Sequence, residues 1–275
     1  MTIGNISTSL SVQSNLTALS YTQKLLQQAQ RSLSTGNAVN SPADNATAFY
    51  QSQGFLQQAS DLSNLKGNLS TSLSTVNSAT NSISSVTQVV QQLQGITAQA
   101  SETTDPTARA GLAAQYNALL PQLDQMVNDS TFNGTNLLNN TSNSLVVNFN
   151  TSNTAGLTIS GVNVTSSGLN IDPAAGGFSS TANIDSANAQ LQNALSTLRN
   201  DAASLGGNAT LIQTQQDFSS NMINNLQSAS NNITVADVNE EAAGLLTAQA
   251  QNQLGIISLG ISGQAAHSIL KLFQA

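Results

Sequence analysis

Apolar side chains recur along this chain at steps of three, four and seven, and the spacing fails only in the middle. Val12, Leu16, Leu19, Leu26, Ala29 and Leu33 lie on one face of a helix. A longer run, Leu62, Leu65, Leu69, Leu73, Val76, Ala79, Ile83, Val86, Val90 and Leu93, takes nine successive steps of three or four. Its span predicts a rod roughly 48 Å long at about 1.5 Å per residue. A rod of that length needs a partner helix. A third helix is expected to open at Asp105-Pro106, with Asp as cap and Pro at the first helical position. It carries Leu112, Tyr116, Leu119, Leu123 and Met126, and Pro121 is expected to kink or locally interrupt it.

From Ser130 to Thr181 the pattern changes. Asn133-Gly134, Gly156, Gly161, Gly168 and Gly176-Gly177 punctuate alternating segments such as Leu145–Phe149 and Leu157–Ile159, which read as turns and one or two small hairpins. Helical spacing resumes at Leu191, Leu195, Leu198, Ala202, Leu205, Ala209 and Ile212, and runs on through Met222, Leu226, Ala229 and Ile233. This is the partner rod. A last helix follows Asp237, with Glu240 three residues on as a capping signature. The expected fold is mainly α, with long antiparallel helical rods, helical ends and a small β-hairpin region in the middle. The expected segments are an N-terminal helix and connector over 1–43, a helical rod over 44–129, the hairpin and turn region over 130–181, a second rod over 182–235 and a C-terminal helix over 236–275.

Composition narrows the chemistry. Ser, Thr, Asn and Gln supply 126 of 275 residues, whereas Asp, Glu, Lys and Arg supply 19, or 7%. A globular norm is about 25% charged. There is no Cys and one His, which removes thiolate chemistry, disulfides and any two-histidine zinc motif. The net charge of −7 argues against nucleic acid, whose binding needs clustered cations. His267 is the one candidate imidazole base, and its helix offers no acid to orient it. Asp237, Glu240 and Glu241 are better explained as anions at a helix N-terminus than as a carboxylate site. Gly176-Gly177 lacks the following Lys of a phosphate loop. No catalytic, metal or cofactor-binding residue is expected. No apolar run reaches the length of a membrane span, and Met1–Leu10 lacks the form of a cleavable secretory signal.

Placement of charge says more than its amount. All 13 acids lie between Asp44 and Glu241; the first 43 residues carry only Lys24 and Arg31, and Lys271 is the one fixed charge after Glu241. Leu254, Ile256, Ile257, Leu259 and Ile261 occupy more than one face of the last helix. A helix apolar on several faces must be buried all round. Two such helices cannot bury each other completely, so other subunits are expected to finish the task.

At this point the residues resemble bacterial flagellin. Ser9-Leu10-Ser11-Val12-Gln13-Ser14-Asn15-Leu16 is similar to that family's opening SLxAQxNL. Arg31-Ser32-Leu33-Ser34-Thr35-Gly36 followed by Val39-Asn40-Ser41-Pro42-Ala43-Asp44-Asn45-Ala46 resembles RLSSG and INSAxDDAAG. Thr131-Phe132-Asn133-Gly134-Thr135-Asn136-Leu137-Leu138 is similar to its F-N-G-x-x-L-L element. Ile233-Thr234-Val235-Ala236-Asp237-Val238-Asn239-Glu240-Glu241 resembles the stretch before the final helix, and Ser268–Phe273 resembles its end.

The resemblance implies a minimal flagellin, a structural subunit that polymerises into the flagellar filament for swimming motility. Its terminal helices would pair as a coiled coil in the filament core, with contacts from Val12, Leu16, Leu19, Leu26, Leu254, Ile257, Ile261, Leu270 and Phe273. It further implies a homopolymer, secreted by the flagellar export machinery, served by an export chaperone, a filament cap and junction proteins, and outside the cell. The Ser/Thr-rich stretch from Thr151 to Ser180 stands where related filaments carry O-linked glycan. One departure matters. The family's L-Q-R-I-R-E-L-A-V-Q-A stands here as Val90–Ala100, with Gln92, Gln94 and Gly95 in place of two arginines and a glutamate. That patch is read by the innate receptor for flagellin, and neutral side chains cannot replace its charge-assisted bonds. The alternatives are a hook–filament junction protein, and an adhesive or receptor-binding module using the hairpin region.

Overall fold

A computed structural model describes residues 3–272, with side chains from 10 to 268 except at 11 and 266. Helices α1 (Ile3–Thr35), α2 (Ala46–Glu102) and α3 (Pro106–Asp129) come first. Strands β1 (Thr131–Phe132), β2 (Thr135–Asn136), β3 (Ser144–Asn148) and β4 (Gly156–Ser160) follow, and then α4 (Thr181–Thr234) and α5 (Val238–Leu272). The chain forms two compact units, one from Met1–Gln58 with Asn225–Ala275, the other from Ala59–Asn224.

Three helix starts have a side-chain acceptor for backbone donors that lack an intrahelical partner. Asn45 Oδ1 accepts from Ala48 N–H at 3.1 Å at the head of α2. Asp105 accepts from Thr107 N–H at 3.0 Å, with Pro106 first in α3. Asp237 Oδ1 accepts from Asn239 and Glu240 N–H at 2.9 and 3.3 Å at the head of α5. At the end of α1, Gly36 takes φ +74° and donates to the Ser32 carbonyl at 2.8 Å, the left-handed cap that glycine adopts without strain.

Within the helices the hydroxyl groups turn inward to the backbone. Thr75, Thr80 and Thr87 in α2, and Thr210, Thr214 and Ser219 in α4, each donate to the carbonyl four residues earlier at 2.8–3.0 Å. A Ser/Thr-rich sequence thereby sits in long helices without burying unpaired donors.

The Ala59–Asn224 unit holds the continuous core. Leu69, Val76, Ile83, Val86, Val90 and Leu93 of α2 meet Tyr116 and Leu123 of α3 and Leu191, Leu198 and Ile212 of α4 in one buried cluster. The hairpins close onto it. Asn133 and Gly134, both at positive φ, make the two-residue turn between β1 and β2. β3 pairs with β4 in antiparallel register, Leu145 opposite Ile159 and Val147 opposite Leu157, and the inward Val147 and Ile159 are buried.

The segment after β4 is strapped down at several points. Asp124 accepts from Ser166 N–H and Oγ–H at 2.7 and 2.8 Å, and Asn117 Oδ1 accepts from Ala174 N–H at 2.8 Å. Gly176, Gly177 and Phe178 then take φ of 53°, 61° and 58°, three successive left-handed residues. Such a φ costs a phenylalanine about 1–3 kcal/mol. Full burial of its ring, edge-on to Tyr116 with centroids 5.4 Å apart, offsets that cost. At the end of α2, Arg109 donates through Nε to the Thr103 and Ala100 carbonyls at 2.7 and 3.2 Å.

α2 extends the Leu62–Leu93 stripe back to Ala46, where the Asn45 cap launches it and half-buried Phe49 and Phe55 with buried Ala59 continue its inner face. One expectation needs correction. Pro121 does not interrupt α3, which runs unbroken from Pro106 to Asp129. Pro121 and Asn117 are both exposed, so the carbonyl that loses its partner is on the solvent side, while Leu120 and Leu123 hold the helix to the core.

Candidate assembly surface

In the unit containing both ends of the chain, α1 packs antiparallel against α5. Small side chains allow the close approach: Thr22, Ala29, Ser32 and Ala248 are buried. Asn15 Nδ2 donates to Ser258 Oγ at 3.2 Å and to Ser262 Oγ at 3.4 Å. Leu19 lies over Gly255, where an added Cβ would be 3.0 Å from Leu19 Cδ1.

The connectors beyond the two helices continue the pairing. Asn37 and Val235 form an antiparallel bridge. The Thr234 carbonyl accepts from Ala38 and Val39 N–H at 2.8 and 3.3 Å, and Ala236 N–H donates to the Gly36 carbonyl at 3.0 Å. Asp44 organises the turn that leads to α2. Its Oδ2 accepts from Ser41 Oγ–H and N–H, both at 2.9 Å, and from Asn40 N–H at 3.1 Å. Its Oδ1 stands 4.0 Å from Arg31 Nη2. Burial pushes this carboxyl up, but the Ser41 and Asn40 donors and the Arg31 charge together hold it below the ordinary aspartate value.

What this pairing leaves uncovered is apolar. Leu16 is 57% exposed on α1, and Leu254, Ile257 and Ile261 are 65%, 58% and 63% exposed on α5. Val12, Leu19 and Leu26 are half-buried, so part of the α1 stripe is used against α5. The side chain of Leu270, and Phe273 altogether, lie outside the described residues. Ile256, expected to need burial by other subunits, is exposed too; Leu10, Tyr21, Tyr50 and Leu246 add to the exposed set, and sequence reasoning missed their part in it. Periodicity shows which residues share a stripe; it gives no sign of how little of that stripe one neighbouring helix covers. Scattered exposed apolar residues are ordinary, whereas a run of them on two paired, nearly uncharged helices marks a contact surface.

The other unit carries Gln92, Gln94 and Gly95 on α2. Gln92 and Gly95 are exposed, Gln94 is half-buried, and an added Cβ at Gly95 meets nothing within 4 Å. Neighbouring Leu93 and Thr97 point into the core. His267 is exposed on α5. Among the described residues no group of three His, Asp or Glu side chains is placed to hold a metal ion, and no described helix is long and apolar enough to cross a membrane.

Comparison with known proteins agrees with this geometry. Residues 6–143 match the family model described as the bacterial flagellin N-terminal helical region. Flagellin FljM of Caulobacter vibrioides is 26% identical over 281 aligned positions that cover 100% of both chains. A flagellin of Brucella melitensis biotype 1 is 25% identical and covers 99% of this chain and 100% of its own. In fold, the chain resembles the structure of a putative flagellar hook-associated protein from Vibrio parahaemolyticus. The TM-score is 0.58 with 13% identity, over 70% of this chain and 100% of that one.

Proposed function

The chain belongs to the bacterial flagellin family and is a structural subunit of the flagellar filament; from that premise we infer which of its surfaces build the polymer. The exposed apolar side chains of the paired terminal helices carry this reading. Leu16, Leu254, Ile257 and Ile261, with Val12, Leu19, Leu26 and Leu270 on the same helices and Phe273 beyond the described residues, make the core contacts between subunits. Burial of apolar area at about 25 cal/mol per Å² drives docking. The terminal helices can cover their remaining apolar faces only in the polymer, so their ordering is coupled to assembly.

The role is mechanical rather than catalytic. Flagellins form the extracellular filament, and delivery there uses the flagellar export machinery with an export chaperone, a cap and junction proteins. Glycan on the exposed Thr151–Thr154 turn is read by intact mass: a chain from its native filament at the bare sequence mass removes that proposal.

Seeded assembly tests the main reading. Purified full-length monomer, given sonicated filament fragments, should grow long tubes visible by electron microscopy, and a truncation lacking Leu245 onward should grow none. Persistent monomers from the full chain would remove the reading. Gln92, Gln94 and Gly95 leave the innate-receptor patch without charge, so purified monomer should activate a receptor reporter weakly. Gln92→Arg with Gln94→Arg and Gly95→Glu should raise that signal. Activation by the unmodified chain equal to that of an arginine-bearing flagellin would overturn it.

A further inference from the structure

We infer that Leu19 seated on Gly255, together with Asn15 bonded to Ser258 and Ser262, is a register lock that selects one alignment of the terminal helices. The inference rests on the filament reading. It adds a requirement: identical subunits can join repetitively only if each presents its apolar stripe at the same height.

Coiled helices usually set their alignment with flanking charge pairs or a single buried polar residue. Here charge is almost absent from both helices, and among the described residues no ion pair joins α1 to α5. Stripes of apolar residues at steps of three and four are equally content after a slip of one heptad. The structure supplies two features that are not. Leu19 sits close over a position without a Cβ; one at 255 would stand 3.0 Å from its Cδ1, so the leucine would have to give by a few tenths of an ångström. A heptad slip would set Leu19 against Ala248 or Ser262, both of which carry that atom. In the second case it would also move Asn15 from its two hydroxyl acceptors to Ala265 and Ile269. The helix pair would lose a well-seated leucine and leave an amide without a partner.

One other alignment satisfies both features. A slip of eleven residues, the three-turn repeat, brings Leu19 to Gly244 and Asn15 to Thr247 and Gln251. That shift is about 16 Å at 1.5 Å per residue. It breaks the Asn37–Val235 bridge and the hydrogen bonds of Ala38, Val39 and Ala236 beside it. The bridge refuses any slip from the connector end, and the lock refuses heptad slips from further along the helices.

The chain has no cysteine, so register can be read without background. Ala29 and Ala248 line one small cavity between α1 and α5. Ala29→Cys with Ala248→Cys, treated with a short thiol–thiol cross-linker, reports the native alignment in full-length monomer and in seeded polymer. Gly255→Leu in this background should lower the cross-link yield about tenfold and abolish regular filaments, because the leucine seat is filled. Leu19→Ala added to Gly255→Leu exchanges the two sizes and should restore the cross-link yield, which a general folding defect would not. Asn15→Val should lower the yield with the helices still formed by circular dichroism. Native cross-linking and filaments in Gly255→Leu, or no recovery on adding Leu19→Ala, would overturn the lock. If the reporter chain cross-links but never polymerises, the filament reading fails while the lock stands.

Discussion

Replacement of Leu254, Ile257 and Ile261 by glutamine tests the central energetic argument. The three side chains are 65%, 58% and 63% exposed in the subunit, so each still has more than half of its burial to gain. Full burial of a leucine or isoleucine side chain is worth about 1.5–3 kcal/mol, which makes the unclaimed part roughly 3–5 kcal/mol per subunit for the three. Each 1.4 kcal/mol is about a factor of ten in concentration, so the variant should need a hundred- to several-thousand-fold more monomer to polymerise. Glutamine forms helix about as well as the residues it replaces, so α5 itself should survive. The assay is seeded polymerisation across a dilution series, with pelleted protein measured at equilibrium. Melting of the Ala59–Asn224 core, which contains none of the three, should be unchanged. A critical concentration within about threefold of the parent would refute the reasoning, since that corresponds to less than about 1 kcal/mol.

Further perturbations address single sites. Tyr116 is fully buried, its hydroxyl has no partner among the described residues, and burial followed by the Asp172 charge pushes its pKa up to about 12. Tyr116→Phe should therefore raise stability by about 1 kcal/mol in a denaturant titration, and a loss of similar size would refute it. The same shift makes the tyrosine's contribution fully present below about pH 10, the unfolded value, and lost as the pH rises through about 12, readable as a fall in melting temperature. Gly168→Ala would place its Cβ 2.2 Å from the Asn163 carbonyl oxygen, so it should destabilise by about 1–3 kcal/mol by the same titration. Asp44→Asn should cost roughly 1 kcal/mol and raise amide exchange at Asn40 and Ser41. Because the Asp44 pKa is lowered on folding, its contribution is present above the ordinary aspartate value and disappears as the pH falls through the lower folded value.

Much of the helical plan was legible because it rests on spacing. The Leu62–Leu93 run contains eight of the α2 side chains in the buried core cluster, and the absence of acids before Asp44 singled out the terminal pair. Other features depend on events that spacing does not record. The start of α2 turns on one Asn among 33 acting as a cap. Pro121 is tolerated because of where its solvent side falls. Phe178 holds a left-handed conformation only because Tyr116 receives its ring. Gly255 looked like one of several glycines in α5, and its meaning appeared only when Leu19 was found above it. Asp44 belonged to a recognisable motif, but its three-donor clasp is a property of the folded turn.

The serine and threonine hydroxyls that donate to carbonyls one turn back have a mechanical consequence. Each such carbonyl serves two donors, which weakens its hold on the axial bond and lets the helix bend locally. In α2 and α4 these sites recur along the length, at Thr75, Thr80 and Thr87 and again at Thr210, Thr214 and Ser219. Bending is therefore shared among many shallow deflections in place of one sharp joint. A fibre built of such helices can be loaded in flexure repeatedly without concentrating stress at any single residue, and its compliance is set by neutral hydroxyls whose action does not vary with the salt of the surrounding water.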